Sequence, residues 1–493
     1  MILKHLFSGM PVEITGNDSV EIKGLSYDSR KVGEGYLFFA LDGTHTSGKK
    51  FVSEAVLKGA VCIVSDKKID DIGCTSVIVS DISKAMSFVS AKFYGHPDKK
   101  MTVIGVTGTN GKTSITYMTE SVFQALNINI GVIGTINYRY AGTVIDAPNT
   151  TPQAMDLYKM MHEMVNAGIK YLIMEVSSHS LVLGRVSGIE FDIAAFTNLT
   201  QDHLDFHKNM DSYFEAKKML FSSLKSNVKN NKKFAIINSD DIYGRKILES
   251  DICAEKISYS VNDGKSSCRA YNVVLNSTNS SFHLKSVFGD AAAINIKHIG
   301  LHNVYNILAV FGICMAAGLK FNDVITNINN ALGAPGRLEK VNFQADFSVI
   351  VDYAHTHDAL KNVLSAIKNL KPSKIITVFG CGGNRDKTKR LLMAQTACEM
   401  SDFVFITSDN PRDEDPESIA KDVEAGAKQI NKTNYKVIIE RRQAIEEAVK
   451  KAEKGDIVLI AGKGHENYQI IGQNKIHFDD REVALDVLKN LKK

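Results

Sequence analysis

Short apolar runs alternate with helical patterns along most of this chain, and this alternation restricts the possible folds more than any other feature. In the middle of the chain, the run MTVIGVTG is followed by a helical stretch from about Thr113. The runs YLIMEVS and FDIAAFTNL come after the helical stretch QAMDLYKMMHEMVNAG. Alternation at this spacing predicts parallel strands joined by crossover helices. We therefore expect an α/β fold with mostly parallel sheets.

The last third of the chain repeats this texture in the runs SVIVDYAH, KIITVFGCGG, DFVFITSDN, YKVIIE and DIVLIAGKG. Between residues 269 and 297, short alternating strands predict an antiparallel insertion. A chain of 493 residues is too long for one ordinary core and suggests about three domains. Pro97 lies just before the strand-like run MTVIGVTG, and Pro335 lies between a helical stretch and the strand-like run FSVIVDYAH. We therefore predict domains at 1–97, 98–333 and 334–493.

Composition excludes several classes of protein. The net charge of +4 is small, and no basic run or interleaving of basic and aromatic residues indicates nucleic-acid binding. The seven cysteines are scattered, odd in number and never form CxxC, which favours a reducing compartment. The start lacks the apolar region of a signal peptide, and no apolar run is long enough for membrane insertion. We expect a cytoplasmic location.

A glycine-rich turn in VIGVTGTNGKTS joins an apolar strand to a helix. Glycines let backbone N–H groups turn toward phosphates, Lys112 supplies positive charge, and Thr113 can reach Mg²⁺. The general GxxxxGK[ST] pattern fails, because Val106 stands at its first glycine, and the shorter TGTNGKT matches instead. We interpret this turn as a nucleotide-binding loop. Its residues are Gly108, Thr109, Asn110, Gly111, Lys112 and Thr113.

Other candidate residues are ambiguous on pattern alone. Glu175 ends an apolar strand, where it could hold a metal or simply be a surface acid. His203 and His207 would share a face of a helix, but neither an HExxH pattern nor a third ligand supports zinc. We interpret one histidine as a metal ligand and the other as structural. Lys217 and Lys218 have the pattern of surface lysines on an amphipathic helix.

Ten motifs in a fixed order carry a resemblance to a known family. They are TGTNGKTS, EVSSHS, NLTQDHLDFH, EAKKMLF, HNVYN, PGRLE, DYAHT, FGCGGNRD, SDNPRDEDP and AGKGHE. With the N-terminal block YDSRKVGEGYLFFALDGTHTSG, the chain resembles the Mur ligases of peptidoglycan synthesis over nearly its whole length. It is most similar to the branch that adds the third residue of the peptide.

The resemblance implies three domains: a small N-terminal α/β domain for the UDP-muramoyl substrate, a central phosphate-loop ATPase domain, and a C-terminal Rossmann-like domain for the amino acid. It also implies that ATP converts the D-Glu carboxylate of UDP-N-acetylmuramoyl-L-alanyl-D-glutamate to an acyl phosphate, which an amine then attacks. The expected co-substrate and cofactor are ATP and Mg²⁺. We expect the enzyme to act as a monomer.

The same resemblance assigns roles residue by residue. It implies that Thr113 and Glu175 hold one Mg²⁺, and that His203 and a carbamylated Lys217 hold a second, with Lys112 also catalytic. Further nucleotide contacts are expected at Asn303, Arg337 and Asp352. Contacts to the UDP-muramoyl dipeptide are expected at Ser29, Thr44, His45, Thr46, Asn149, Thr150, Thr151, Ser177 and Arg185.

Members of this branch add either meso-diaminopimelate or L-lysine. Diaminopimelate has an additional carboxylate, which an arginine can bind through two parallel N–H bonds. We therefore expect diaminopimelate, with the acids of SDNPRDEDP orienting Arg412 and with Gly462 and Glu466 holding the far ammonium group. The expected diaminopimelate-binding residues are Arg385, Asp409, Asn410, Pro411, Arg412, Gly462 and Glu466.

Some positions depart from the family pattern. His357, Asn384 and Leu391 stand where the family commonly has proline, aspartate and proline, which leaves the geometry of the C-terminal loops open. Leu183 stands where some members have a substrate-contacting glutamine.

Two rival functions remain at this point. A folylpolyglutamate synthetase shares the chemistry, but would not be expected to carry the N-terminal block or DNPR. A nucleotide-switch GTPase would need an NKxD guanine reader, and the sequence NKTN at Asn431 does not supply one.

Overall fold

The computed structural model describes residues 1–43, 46–69, 72–225, 229, 231–276 and 279–491, with residues 205 and 292 described by their backbone alone. The chain separates into two compact units. The first consists of Met1–Tyr259 and Gly312–Leu319, and the second consists of Ser260–Phe311 and Lys320–Lys493.

The first unit begins with a five-stranded sheet. Its elements are α1 (Leu3–Phe7), β1 (Glu13–Thr15), β2 (Gly24–Ser26), β3 (Tyr36–Phe39), α2 (Val52–Leu57), β4 (Ala60–Ser65), β5 (Thr75–Ile78) and α3 (Ile82–Phe93). The strand order is β1-β5-β4-β3-β2, and all neighbours are parallel except β1 and β5. Apolar side chains of α1, α3 and the strands form its core.

The rest of the first unit is a larger, mainly parallel sheet. Its elements are β6 (Thr102–Thr107), α4 (Lys112–Ala125), β7 (Ile130–Ile133), β8 (Asn137–Tyr140), β9 (Thr143–Asp146), α5 (Ala154–Asn166), β10 (Tyr171–Glu175), α6 (Ser178–Val182), β11 (Ile193–Phe196), α7 (Leu204–His207), α8 (Met210–Ser222), β12 (Phe234–Asn238), α9 (Ile242–Glu249) and β13 (Glu255–Ser260). The strands β13-β12-β11-β6-β10-β7 are parallel, and β7-β8-β9 are antiparallel.

The central strands of this sheet are buried on both faces. Strands β6, β10 and β11 are buried along almost their whole length, as expected where crossover helices cover a parallel sheet. Consequently, only the loops at the strand ends can present polar groups to a ligand. The carboxyl ends of β6, β10 and β11 lead directly into TGTNGKTS, VSSHS and TNLT.

The second unit starts with three antiparallel strands, β14 (Cys268–Leu275), β15 (Ser280–Ser286) and β16 (Ala291–Ile296). They confirm the antiparallel insertion predicted between residues 269 and 297. Two helices follow, α10 (Leu301–Ala316), whose last residues from Gly312 are assigned to the first unit, and α11 (Phe321–Ile328).

A six-stranded sheet forms the rest of the second unit. Its elements are β17 (Glu339–Lys340), β18 (Ser348–Asp352), α12 (His357–Lys368), β19 (Ile375–Cys381), α13 (Thr388–Met400), β20 (Phe403–Ser408), α14 (Pro416–Gln429), β21 (Tyr435–Val437), α15 (Arg441–Lys451), β22 (Ile457–Ala461) and α16 (Asp480–Leu491), with a hairpin of β23 (Tyr468–Ile471) and β24 (Asn474–His477). The order is β17-β18-β22-β19-β20-β21, and only β17 runs antiparallel to its neighbour.

The predicted domain boundaries fall between elements. The boundary after residue 97 lies in a 3₁₀ turn, Pro97–Lys100, and the boundary after residue 333 lies between α11 and β17. Both positions stay predictions. Within the described ranges, each helix is too short or too polar to cross a lipid bilayer.

Candidate active site

The loop between β6 and α4 is held in place by the segment that follows β11. Asn198 accepts hydrogen bonds from the Thr109 N–H through its carbonyl (2.8 Å) and from the Asn110 N–H through Oδ1 (3.0 Å). Thr197 Oγ1 donates to the Asn110 carbonyl at 2.6 Å. Sequence reasoning missed both residues: Thr197 lies just before the motif NLTQDHLDFH, and Asn198 begins this motif, in which only the histidines stand out.

Gly108 is required by this packing. Its φ is 144°, and a Cβ at this position would lie 1.8 Å from Thr197 Oγ1. Any side chain would therefore clash with the segment that fixes the loop. The glycine of TGTNGKT thus serves close packing as well as the turn.

Two lysines converge on the carbonyl of Gly108. Lys112 Nζ donates to it at 2.8 Å, and Lys217 Nζ donates to it at 2.9 Å. Lys217 is buried, with 1% of its surface exposed, so the surface position that its pattern predicts is wrong. Burial, reinforced by the charge of Lys112 and opposed by Asp202, holds the pKa of Lys217 well below its usual range.

Glu175, at the end of β10, is buried against hydroxyl and backbone groups. Thr113 Oγ1 and Thr135 Oγ1 each donate to Glu175 Oε2 at 3.0 Å, and the Thr135 N–H donates to Oε1 at 2.8 Å. Thr135 was missed because it follows β7 in a stretch with no recognisable motif. These carboxylate and hydroxyl oxygens are the hard donors that suit Mg²⁺. Within the described part of the chain, His, Cys, Asp and Glu side chains form no group of three placed to hold a metal.

The two histidines of NLTQDHLDFH have different environments. His207 is buried and its Nε2 lies 2.8 Å from Ser178 Oγ, which fits a structural role. His203 has a left-handed backbone (φ 53°) and a half-exposed side chain, with Nε2 3.5 Å from Asp202 Oδ2. This difference fits the predicted division of roles. That His203 binds a metal stays a prediction.

Several of the residues expected to contact the UDP-muramoyl dipeptide are linked to Glu175. Thr151 Oγ1 donates to the Glu175 carbonyl at 2.9 Å and accepts the Ser177 N–H at 3.1 Å. Arg185 Nη1 donates to the Thr151 carbonyl at 3.0 Å. Thr150 Oγ1 lies 3.1 Å from Thr135 Oγ1, and the Asn149 carbonyl accepts the hydroxyl of Tyr138. The structure therefore links Thr150, Thr151, Ser177 and Arg185 to Glu175 or its immediate partners, whereas the contact of Asn149 is with Tyr138.

The other four residues expected to contact that substrate lie in the N-terminal part of the chain. Ser29 is buried, and its Oγ donates to Glu54 Oε2 at 2.8 Å. Thr46 is exposed, and its carbonyl accepts the Gly43 N–H at 2.9 Å. Thr44 and His45 lie outside the described residues.

In the second unit, the predicted nucleotide residues Arg337 and Asp352 lie near each other. Asp352 accepts the N–H groups of Leu338 (2.7 Å) and Ala354 (2.8 Å). Burial raises the pKa of Asp352, and the charge of Arg337 opposes that rise. The Arg337 guanidinium lies over the ring of Tyr353 at 4.7 Å.

Asn303, the third predicted nucleotide residue in this unit, is buried on α10. Its Nδ2 donates to the Ile299 carbonyl at 2.9 Å, and its Oδ1 accepts from Asn306 Nδ2 at 3.0 Å. These bonds fix its orientation.

The loops PGRLE and AGKGHE are in direct backbone contact. Gly336 has φ 65°, and a Cβ there would lie 2.1 Å from backbone atoms of Gly464 and His465. The glycine of PGRLE is therefore needed for close approach.

The residues predicted to bind diaminopimelate cluster at the carboxyl ends of β20 and β22. Asn410 Nδ2 donates to Glu466 Oε2 at 2.8 Å, and the Asn410 N–H donates to Asp409 Oδ1 at 2.6 Å. Arg412 has φ 52°, and its Nη1 donates to the Gly383 carbonyl at 2.9 Å. The Gly462 N–H donates to the carbonyl of the DYAH aspartate at 3.1 Å.

The acids of SDNPRDEDP act differently from the prediction that they orient Arg412. Glu414 accepts from Arg390 Nη2 at 2.9 Å and from the Asn384 N–H at 2.5 Å. Asp415 caps α14, and Asp413 is exposed. The expectation that these acids orient Arg412 is wrong, because Glu414 forms its ion pair with Arg390, a buried cation of the neighbouring α13.

The two remaining residues predicted to bind diaminopimelate, Arg385 and Pro411, lie in the loops after β19 and β20. Arg385 is exposed, and its Nη1 donates to the Asn384 carbonyl at 3.1 Å. The Pro411 carbonyl accepts the Glu414 N–H at 3.1 Å.

Three parts of the chain match models of one protein family. Residues 21–92 match the model "Mur ligase family, catalytic domain", residues 106–314 match "Mur ligase middle domain", and residues 336–464 match "Mur ligase, glutamate ligase domain". A UDP-N-acetylmuramoyl-L-alanyl-D-glutamate–2,6-diaminopimelate ligase of Fusobacterium nucleatum is 42% identical over 97% of both chains. The chain belongs to the Mur ligase family. A second relative, described as ligase 1 of the same activity from Clostridium acetobutylicum, is 43% identical over 100% of both chains.

Solved structures agree with this membership. One described as UDP-N-acetylmuramoyl-L-alanyl-D-glutamate–2,6-diaminopimelate ligase is 31% identical, with a TM-score of 0.71, and covers 100% of this Mur ligase and 99% of that chain. Thermotoga maritima MurF, solved with ADP, is 15% identical over 96% of this chain and 97% of its own, with a TM-score of 0.62. The predicted three-domain α/β fold and the predicted class, an ATP-dependent ligase that forms amide bonds, are confirmed.

The rival function also has a structural neighbour. A Mycobacterium tuberculosis folylpolyglutamate synthase has a TM-score of 0.61 at 16% identity, covering 76% of this Mur ligase and 92% of its own chain. At that identity the likeness shows a shared fold alone.

Proposed function

We propose that this Mur ligase joins meso-diaminopimelate to the D-glutamate of UDP-N-acetylmuramoyl-L-alanyl-D-glutamate, with ATP converted to ADP and phosphate. The relatives of 40–43% identity are named for this reaction. The carboxylate attacks the terminal phosphate of ATP and becomes an acyl phosphate. The amine of diaminopimelate then attacks the acyl carbon, and phosphate leaves from the tetrahedral intermediate. The free cysteines fit a reducing, cytoplasmic setting.

The first step brings two anions together, so it needs positive charge at the phosphates. Lys112 stands at the N-terminus of α4, where its charge and the loop N–H groups would bind the phosphate oxygens. Mg²⁺, when bound, would offset further phosphate charge. Thr113 and Glu175 fit the first ion through their oxygens, and His203 with Lys217 would hold the second.

Lys217 fits the second ion only if it is carbamylated. An ammonium group repels a cation, whereas a carbamate offers anionic oxygens. The lowered pKa of Lys217 favours the neutral amine, which is the form that reacts with carbon dioxide. The buried position of the amine supports this assignment.

The observation that carries the choice of amino acid is the position of Arg412. Its guanidinium lies at the end of β20, 2.9 Å from the Gly383 carbonyl, in the same strand-end cluster as Asn410 and Glu466. A cation beside an amide and a carboxylate suits a ligand end that carries both a carboxylate and an ammonium. The far end of diaminopimelate has both groups, whereas L-lysine has the ammonium alone.

The test is a comparison of amino acids on purified protein. With ATP, Mg²⁺ and the UDP-muramoyl dipeptide, we expect ADP release to depend on meso-diaminopimelate, with a kcat/KM at least 100-fold above that for L-lysine. Arg412→Lys should narrow this ratio, because a lysine cannot form two parallel bonds to a carboxylate. A preference for L-lysine would refute the choice of amino acid. A lack of ADP release with either amino acid would refute the ligase function itself.

A further inference from the structure

Lys463, the lysine of AGKGHE, has no role in the function proposed above. It stands two residues after β22 and is fully buried, with 0% of its surface exposed. A charged side chain is rarely buried without a partner, because removing it from water costs several kcal/mol. The contacts of the Lys463 ammonium therefore indicate the role of its charge.

The ammonium of Lys463 contacts two of the residues predicted to bind diaminopimelate. Its Nζ lies 3.0 Å from Glu466 Oε2, as an ion pair, and 3.4 Å from Asn410 Oδ1. Glu466 Oε2 also accepts from Asn410 Nδ2 at 2.8 Å. One carboxylate oxygen is thus shared by two donors.

These bonds set the orientation of both partners. Asn410 Oδ1 accepts the Ile470 N–H at 2.9 Å, so the side-chain amide is also fixed from the β23 side. Since Oε2 of Glu466 is engaged, an incoming ammonium would bind this carboxylate through Oε1.

We propose that Lys463 is a positioning residue that holds Glu466, and through it Asn410, for the far ammonium and carboxylate of the amino-acid substrate. This inference rests on the proposed function. Lys463 itself does not touch the substrate, because its ammonium is buried behind Glu466. It orients the groups that do, through its ion pair with Glu466 and its contact with Asn410.

The first experiment replaces Lys463 with methionine in the full-length enzyme. We expect Lys463→Met to raise the KM for meso-diaminopimelate at least tenfold, while the KM values for ATP and the UDP-muramoyl dipeptide change less than twofold. Lys475→Met is the matched control, since Lys475 also lies over the Tyr468 ring (3.9 Å, against 5.4 Å for Lys463) but is exposed on β24. Its kinetic constants should equal those of the unmodified enzyme.

A double variant separates positioning from general support of the fold. If Lys463 acts through Glu466, the KM for diaminopimelate in Lys463→Met/Glu466→Gln should be no higher than in Glu466→Gln alone. The proposal would be overturned if the KM for diaminopimelate in the double variant rose by the product of the two single-variant increases. The double variant also covers the case in which Lys463→Met alone folds poorly, because Glu466→Gln removes the carboxylate that would be left without its cation.

The result that overturns the inference differs from the result that overturns the function. If the unmodified enzyme uses diaminopimelate but Lys463→Met keeps the same KM for it, Lys463 has no positioning role. Equal rises in the KM for all three substrates would likewise reject it. If the unmodified enzyme does not use diaminopimelate, the proposed function fails instead.

Discussion

At the scale of single residues, burial decides whether a lysine is a solvated surface residue or a candidate for the active site. Lys217 and Lys218 are adjacent on α8, yet Lys217 is buried against the Gly108 carbonyl, whereas the Lys218 side chain is 31% exposed. A pattern of polar and apolar residues along one helix cannot separate them. Their difference arises because the phosphate loop, more than 100 residues away in sequence, covers only Lys217. The neighbouring pair offers a controlled test of the carbamate.

We predict that Lys217→Ala lowers kcat by about 10²–10³, because a ligand of the second Mg²⁺ is lost at the transferring phosphate. Short carboxylic acids in the buffer should restore part of the activity by replacing the carbamate oxygens. Lys218→Ala is the control and should keep full activity, with no response to the acids. Steady-state release of ADP measures all three proteins. Full activity of Lys217→Ala without rescue would reject the carbamate.

At the scale of elements, the strand-end loops were predictable as a group but not in their contacts. The apolar runs predicted the parallel strands, and parallel strands place their carboxyl ends at one edge. That reasoning brought Asn410, Arg412 and Glu466 together from sequence. The sequence pattern does not predict that Glu414 pairs with Arg390 and not with Arg412, because this pairing depends on how α13 packs beside the loop.

The same loops contain a histidine held in its neutral form. His465 packs on the Tyr353 ring, with centroids 4.9 Å apart. Burial, together with the nearby cations Arg337, Arg481 and Lys463, lowers the pKa of His465 to about 4. An unfolded chain would bind a proton at this histidine near pH 6.5. The folded protein does not, so its stability falls as pH drops from 6.5 toward 4.

We predict that His465→Phe, which keeps a ring on Tyr353 but cannot be protonated, reduces the loss of stability on acidification. Between pH 7.5 and 5.5 the difference should be about 1.4 kcal/mol relative to the unmodified protein. Urea unfolding without ligands at the two pH values measures it. His477→Phe is the control: its exposed ring pairs with Glu482, which raises the pKa of His477, so its loss should not reduce the acid sensitivity. An unchanged pH dependence in His465→Phe would contradict the prediction.

At the scale of the whole molecule, the fold was predictable because its signals are local and repeated, whereas the links between its parts were not. Within the first unit, the N-terminal sheet and the central sheet meet through α5. Tyr27, in the motif YDSR, donates its hydroxyl to Asp156 Oδ2 at 2.5 Å. Tyr27 lies two residues before Ser29, and Asp156 lies five residues after Thr151. This bond therefore joins two segments that are both predicted to contact the UDP-muramoyl dipeptide.

We predict that Tyr27→Phe raises the KM for the UDP-muramoyl dipeptide several-fold and leaves the KM for ATP unchanged. The reason is that the loss of the hydroxyl leaves Asp156 without its donor and loosens the placement of one substrate segment on the other. The expected loss of stability is about 1–2 kcal/mol. Tyr140→Phe provides a matched control, since Tyr140 also donates to a carboxylate of α5, Glu163 Oε2, at 2.5 Å, but inside the central part of the unit. Both variants should lose similar stability in thermal melts, and only Tyr27→Phe should alter the KM for the dipeptide. If Tyr140→Phe altered that KM equally, the effect would come from weakening α5 and not from the link between the two sheets.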